Sequence, residues 1–222
     1  IDRGKILGVG VCIAGRVNPD TGCSYKYFTS SDRSLRQILE ERIGVRVLLE
    51  NDTRARCYAE CALTDTPKND MVYLFLGRGV AIGIVMKGEL YYGKSGFAGE
   101  FGHTPFFDNE IICACGKKGC LEAYASATGV ARTAKEIISS TTKDTLLRQV
   151  NIDAITSKDV YDAAEQGDEV AKQIFDFTGT ILGQQLADFI AFSAPEAIVM
   201  FGGLTKSGHW ILDPVVKAMN DN

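Results

Sequence analysis

Two segments, Gly99-Glu100-Phe101-Gly102-His103 and Cys113-Ala114-Cys115-Gly116-Lys117-Lys118-Gly119-Cys120-Leu121-Glu122, carry the most specific pattern in the chain. His103 and the three cysteines follow the spacing H-x9-C-x-C-x4-C. Three thiolates and one imidazole are a common tetrahedral ligand set for zinc. The alternative is three buried or redox-prone cysteines beside an unrelated histidine. We predict a zinc site, and a structural one, because four protein ligands leave no position open for substrate water.

Polar side chains at three other places accompany this pattern. Asn51 and Asp52 stand between a predicted strand and a predicted helix, where they suit either a helix N-cap or a ligand crevice at the carboxyl ends of parallel strands. Glu100 and Glu122 are either solvated carboxylates or, if zinc orders their loops, rigid hydrogen-bond acceptors. Carboxylates and an amide around a cavity suit a polyhydroxylated ligand, and a carboxylate at Asp52 could take a proton from a hydroxyl.

A glycine-rich stretch, Gly77-Arg78-Gly79-Val80-Ala81-Ile82-Gly83, follows a predicted strand. Glycine after a strand is typical of backbone that approaches a phosphate. An ordinary turn into a hairpin explains the same residues equally well.

Apolar runs alternate with helical patterns along the chain, which predicts an α/β class. The expected strands are 6–13, 45–49, 71–76 and 197–201, with a hairpin over 82–92. The expected helices are 34–43, 53–63, 128–139, 157–166 and 168–192. The first strand is nearly all apolar, so we expect it to be buried on both faces of a mostly parallel sheet. The polar segment 64–70, which contains Pro67, is a candidate hinge between two lobes.

The composition and net charge of the chain limit the classes of function that it can have. The chain has 222 residues, of which 45% are apolar and 23% are charged, and its net charge is −4. This balance is typical of a globular protein, and the longest apolar stretch is too interrupted for a membrane span. The acidic charge argues against a basic nucleic-acid-binding face on this chain. Seven cysteines without a signal peptide predict reduced thiols plus one metal cluster in a cytoplasmic protein.

Taken together, five segments resemble the ROK family of repressors, open reading frames and kinases. They are 10–17, 50–55, 93–103, 113–122 and 202–203. The resemblance implies the actin/hexokinase-like (ribonuclease H-like) α/β fold, with two lobes around a sugar cleft. It places residues 1–66 in the remainder of a small N-terminal lobe and 67–222 in a large C-terminal lobe with the zinc site. The chain is then expected to be truncated at both ends.

The same resemblance implies functional roles. The sugar-binding positions are Asn51, Asp52, Glu100, His103 and Glu122. Asp52 falls on the kinase general base, and His103 would place one ring nitrogen on zinc and the other toward the sugar. The nucleotide-binding loops fall on Gly77, Arg78, Gly79, Gly202 and Gly203. In a kinase the cofactor would be ATP with Mg²⁺.

Two departures from the kinase pattern favour a regulator. The chain lacks the first phosphate loop of the kinases, and Arg78 and Ala81 stand where the second loop has a hydroxyl residue and a glycine. Arg78 could still bind phosphate as a charged donor. We therefore expect the sugar- or sugar-phosphate-binding and dimerisation portion of a ROK transcriptional regulator, a homodimer that contacts DNA through a winged helix-turn-helix before Ile1. The alternative is an ATP-dependent sugar kinase.

Overall fold

The computed structural model describes residues 3–29, 32–63, 69–108 and 111–222. The chain divides into two compact units. The first comprises residues 1–72 and 82–99, and the second comprises residues 73–81 and 100–222. The lobe boundary between residues 66 and 67 stays a prediction. The hinge expected at 64–70 lies for the most part outside the described residues.

The first unit is built on a parallel pair of strands, β1 (Val9–Ile13) and β4 (Val47–Asn51), which pair from Val9 opposite Val47 to Ile13 opposite Asn51. Its other elements are the short antiparallel strands β2 (Val17–Asn18) and β3 (Cys23–Ser24) and the helices α1 (Leu35–Ile43) and α2 (Asp52–Leu63). The core of this unit consists of Val17, Leu35 and Leu49, with Val11, Ile13 and Leu39 packed against them.

The expectation that the first strand is buried on both faces is wrong. Gly10 and Cys12 of β1 are exposed, Leu48 of β4 is 59% exposed, and Leu7 lies before the strand and is 96% exposed. Successive side chains of a strand point to opposite faces, and only the face of β1 and β4 that carries Val11 and Leu49 packs on the core.

Helix α1 shows how local sequence sets an element's ends. The Ser34 side chain accepts a hydrogen bond from the Gln37 N–H, and the Gln37 side chain accepts one from the Ser34 N–H. This capping box satisfies two amides that the first helical turn leaves unpaired. Gly44 ends the helix with φ 77°, in the left-handed region that favours glycine. The predicted range 34–43 is confirmed to within a residue.

A four-stranded sheet has the order β7-β6-β5-β8. Its strands are β5 (Met71–Leu76), β6 (Val80–Met86), β7 (Glu89–Leu90) and β8 (Ala197–Phe201). The division between the two units passes within β5 and β6. Lys87 and Gly88 both have positive φ and close the predicted hairpin between β6 and β7.

Helices make up most of the second unit. They are α3 (Glu122–Ala125), α4 (Ala127–Ser140), α5 (Ser157–Glu165), α6 (Glu169–Ser193) and α7 (His209–Asp221). One-turn 3₁₀ helices lie at Phe101–His103, Leu146–Gln149, Ile152–Ala154 and Leu204–Ser207. The centre of the core lies on α6, where Ile174, Phe175 and Leu182 are fully buried. Every helix among the described residues falls short of the combined length and apolar character that a membrane span requires.

Candidate metal centre and ligand-binding residues

The structure brings the four predicted metal ligands together. The candidate ligand atoms of His103, Cys113, Cys115 and Cys120 all lie within 4.8 Å of one another. The distance from His103 Nδ1 to Cys113 Sγ is 3.6 Å, and that from Cys115 Sγ to Cys120 Sγ is 3.7 Å. A tetrahedral zinc ion with Zn–S bonds of about 2.3 Å separates its sulfur ligands by about 3.8 Å. The four side chains therefore fit a tetrahedral metal ion.

The protonation of the thiols differs within the cluster. Burial raises the pKa of Cys113 to about 12. Although burial opposes it, hydrogen bonds from the Lys117 N–H and from the neighbouring thiols lower the pKa of Cys115. Thiols bind a metal as thiolates, so zinc binding at this cluster would release protons.

His103 faces two ways. Its Nδ1 lies on the thiol side, while its Nε2 is 3.8 Å from Glu100 Oε2. A metal-bound histidine usually has its second nitrogen beside a carboxylate or carbonyl, which orients the ring. The structure thus assigns Glu100 a place next to His103. The predicted contact of His103 with a sugar stays a prediction.

Glu122 lies between the cluster and the glycine-rich turn. Its Oε1 is 3.8 Å from Cys113 Sγ, and its Oε2 accepts a hydrogen bond of 2.9 Å from the Val80 N–H. It begins α3 two residues after the ligand Cys120. Glu122 is therefore a half-buried bridging carboxylate as well as a candidate sugar ligand.

The turn at Gly77, Arg78 and Gly79 is held mainly by contacts to its carbonyl oxygens. The Gly77 N–H donates to Gly79 O, the Ala127 N–H donates to Gly77 O at 2.8 Å, and Thr128 Oγ1 donates to Arg78 O at 2.9 Å. The Arg78 side chain is exposed. A Cβ on Gly79 would overlap the Glu122 carboxylate, so a larger residue there would displace that side chain.

The second predicted nucleotide loop lies against the first. Gly202 has φ 115°, and a Cβ on it would overlap the carbonyl oxygen of Leu76, the residue that precedes Gly77. Gly203, by contrast, has open space around its Cα. The structure therefore brings Gly202 to the end of β5, where the turn at Gly77 begins.

Asn51 and Asp52 form the start of α2 in the first unit. Asn51 Oδ1 accepts from the N–H groups of Thr53 and Arg54, and its Nδ2 donates to Gly15 O and Asp52 Oδ1. Asn51 therefore caps the helix, as one of the two sequence interpretations predicted. Asp52 is exposed, with Oδ1 also accepting from the Thr53 N–H. Its Oδ2 has no hydrogen-bond partner in the described part of the chain.

One buried side chain beside this site was not predicted. Arg54 donates to Glu50 Oε1, to Gly96 O and to Val17 O, and its guanidinium lies 5.0 Å from the centroid of the Tyr92 ring. The i,i+4 spacing of Glu50 and Arg54 is the only sequence signal for this network. The hydrogen bonds of Arg54 to Gly96 O and Val17 O cannot be predicted from sequence, because every residue has a backbone carbonyl.

Comparison with protein families decides the identity of the chain. The model of the ROK family matches residues 2–222. The chain belongs to the ROK family. A crystal structure of a ROK family glucokinase from Streptomyces griseus in complex with glucose and AMPPNP has a TM-score of 0.84 and 31% identity, and the match covers 98% of this chain and 72% of that one. The fold is therefore the actin/hexokinase-like α/β fold of the sugar kinases.

ROK relatives of both functional types match. A glucokinase of Halalkalibacterium halodurans is 35% identical over 219 residues, which cover 96% of this chain and 66% of that protein. A xylose repressor of Caldicellulosiruptor bescii is 26% identical over 221 residues, which cover 97% of this chain and 55% of the repressor. The chain thus spans about two thirds of the length of the glucokinase and about half of that of the repressor.

These identities correct the preference for a regulator. The chain is more similar to the glucokinase than to the repressor. The preference rested on the missing first phosphate loop and on Arg78 and Ala81 in the second loop, and these departures weigh little against the similarity along the rest of the chain.

Proposed function

We propose that this chain is part of an ATP-dependent ROK sugar kinase that transfers a phosphoryl group to a hexose, with glucose as the first candidate substrate. The similarity to ROK glucokinases supports the activity. The observation that carries the mechanism is the placement of Asp52.

Asp52 has the geometry of a general base. One carboxylate oxygen is oriented by the Thr53 N–H and the Asn51 amide, while the other points away from any partner among the described residues. A carboxylate held in one orientation at a solvent-accessible helix start can accept the proton of a sugar hydroxyl. Phosphoryl transfer depends chiefly on positioning and on charge stabilisation, and such a base fixes where the attacking oxygen must lie.

The turn after β5 suits the phosphates of a nucleotide. Its hydrogen bonds occupy the carbonyls of Gly77, Arg78 and Gly79, while the N–H groups of Arg78 and Gly79 have no partner among the described residues. Backbone N–H groups and an exposed guanidinium are suitable donors to phosphate oxygens. Mg²⁺-ATP, when bound, supplies the phosphoryl group and the metal that neutralises its charge. Gly202 and Gly203 remain the proposed second contact with the nucleotide.

The sugar-binding residues proposed from family membership are Asn51, Asp52, Glu100, His103 and Glu122. In the structure Asn51 already uses its amide to cap α2, and Glu122 already uses one oxygen on Val80. Asp52 and Glu100 are exposed, which suits direct contact with sugar hydroxyls.

The second candidate is the sugar-responsive regulator. The exposed Arg78 in the turn and the Cβ of Ala81 at the start of β6 favour it, and so does the similarity to the xylose repressor. Homodimer formation and DNA contact belong to this candidate and stay predictions.

A phosphorylation assay separates the two candidates. The full-length protein is incubated with Mg²⁺-ATP and a panel of hexoses that begins with glucose, and ADP release is measured. We expect turnover that falls by about 10²–10⁴-fold in Asp52→Asn, which keeps the side-chain shape and the cap. Asp144→Asn, at an exposed carboxylate of the second unit, is the matched control and keeps full activity. Sugar binding by calorimetry without turnover would instead support the regulator.

A further inference from the structure

We propose that Glu122 is a positioning residue that ties the metal cluster to the turn Gly77–Val80, so that metal occupancy sets the order of the turn's backbone amides. The consequence for nucleotide binding rests on the proposed kinase function. The tie itself does not, because every contact that carries it lies within the second unit.

The first contact runs through the Glu122 carboxylate. Oε2 accepts from the Val80 N–H at 2.9 Å, and Oε1 lies 3.8 Å from the Sγ of the ligand Cys113. Val80 is only 3% exposed, so its N–H depends on a protein acceptor rather than on water. A hydrogen bond to a charged acceptor is stronger than one between neutral groups.

The second contact comes from the other ligand loop. Gly102, which precedes the ligand His103, packs so closely on Val80 that a Cβ would overlap the Val80 carbonyl oxygen. The N–H of Val80 thus contacts the segment that carries Cys120, and its carbonyl contacts the segment that carries His103. A metal ion that joins these two segments would therefore fix the contacts to both the N–H and the carbonyl of Val80.

The third contact extends along α3 into α4. Ser126 caps α4 by accepting from the Gly129 N–H, and the next two residues of α4 hold the turn. Ala127 donates to Gly77 O, and Thr128 donates to Arg78 O. The segment from Cys120 to Thr128 therefore binds the turn at three residues, Gly77, Arg78 and Val80.

Metal occupancy matters because an ion at the cluster would add coordinate bonds between the two ligand segments. Without an ion the two segments are joined by backbone hydrogen bonds, such as those from the Leu121 N–H to Thr104 O and from the Phe106 N–H to Gly119 O, and by weaker thiol contacts. The loss of the ion's bonds lowers the free energy that local opening requires. We expect the turn to open more often in the metal-free protein, with the N–H groups of Arg78 and Gly79 less well placed for a phosphate.

Hydrogen exchange tests the tie directly. The full-length protein is compared with stoichiometric zinc and after chelation, in the absence of nucleotide, and exchange is followed in the peptides that contain Val80 and Ala127. We expect exchange at Val80 to rise by about tenfold or more on metal removal, which corresponds to the loss of one hydrogen bond. The peptide that spans the β6–β7 hairpin at 84–92 serves as the internal control and keeps its rate. Unchanged exchange at Val80 would overturn the proposal.

A variant pair decides the role of Glu122 even if chelation unfolds the second unit. Glu122→Ala, loaded with zinc, removes the acceptor and is expected to raise exchange at Val80 by about tenfold, with zinc content unchanged. Glu122→Gln keeps an acceptor oxygen and is expected to restore slow exchange. If the Glu122 side chain only filled space, the acceptor oxygen of Gln would not restore slow exchange. Equal exchange at Val80 in Glu122→Ala and Glu122→Gln would therefore contradict the positioning role.

Nucleotide affinity tests the functional consequence. Thr128→Val removes the hydrogen bond to Arg78 O and is expected to weaken AMPPNP binding by about twofold to tenfold, with glucose binding and zinc content unchanged. Thr133→Val is the matched control on the same helix, because the Thr133 hydroxyl is buried without a partner in the described part of the chain. If wild-type protein binds no AMPPNP, the kinase proposal fails. The exchange experiment still decides whether Glu122 links the metal cluster to the turn. If it binds AMPPNP equally well with and without zinc, the coupling to nucleotide is wrong.

Discussion

Arg54 on α2 and Glu50 on β4 form a largely buried ion pair, with Arg54 Nε 2.9 Å from Glu50 Oε1. The side chains are 6% and 21% exposed. The two terminal nitrogens of Arg54 donate to Gly96 O and Val17 O, each at 2.6 Å. One side chain therefore joins α2, β2 and the loop 93–99. This network stands directly behind the helix start that carries Asp52.

Removal of Arg54 is expected to be costly. Arg54→Met leaves the half-buried Glu50 carboxylate without its counter-charge and two carbonyl oxygens without their donor, and we expect the first unit to lose about 2–4 kcal/mol of unfolding free energy. Urea unfolding measures the loss. The control is Arg33→Met, which removes the exposed pair Arg33–Glu41, with side chains 55% and 59% exposed, and is expected to cost less than about 1 kcal/mol. Similar losses in the two variants would contradict this assignment.

Tyr92 adds a pH dependence to the same network. Burial, together with the hydrogen bond from its hydroxyl to Glu50, raises the pKa of Tyr92 from 10.0 to about 12. The folded state therefore holds this proton more tightly than the unfolded state. Its contribution to stability is complete below pH 10, falls as the pH rises from 10 to about 12, and is lost above that. Tyr92→Phe should remove this part of the pH dependence of unfolding, and a titration of phenolate absorbance should lack one late-titrating group. An unchanged pH profile in the variant would refute the assignment.

Local signals predicted five helices to within a residue at each end, but the sequence analysis did not predict α3 or α7. Ser34, Gln37 and Gly44 specify the ends of α1 by side-chain hydrogen bonds and a positive φ, and both features are readable from residue type. Lys87-Gly88 likewise marked the hairpin turn. The four metal ligands were predictable for the same reason, because ligand chemistry restricts residue type and spacing.

Features that depend on packing between distant segments were not predictable. The apolar run at 6–13 indicated burial, but whether a second layer covers each face depends on the tertiary fold, and Leu48 is exposed. Arg54, Val80 and Thr128 were missed because each acts through a backbone amide or carbonyl of another segment, and such contacts place no demand on the partner's residue type.

Metal analysis tests the cluster. We expect the purified protein to contain about one zinc per chain, because the four ligand atoms lie within 4.8 Å of one another and two of the pairs already have tetrahedral separations. Cys120→Ser removes a ligand and is expected to abolish stoichiometric zinc. Cys12→Ser, at an exposed cysteine outside the cluster, retains it. A wild-type protein that neither contains zinc nor binds added zinc would show that the cysteines serve another purpose.

The two adjacent glycines after β8 offer a sharp steric test of the nucleotide loops. Gly202→Ala places a Cβ against the Leu76 carbonyl oxygen in a backbone conformation with φ 115°, and we expect a loss of about 1–3 kcal/mol in unfolding free energy. Because Leu76 leads directly into the turn at Gly77, AMPPNP binding should weaken as well. Gly203→Ala is the matched control, since nothing lies within 4 Å of its Cβ and its φ is −65°. Calorimetry and thermal unfolding measure both effects. If Gly203→Ala were as damaging as Gly202→Ala, the close approach of Gly202 to Leu76 would not be what holds the turn in place.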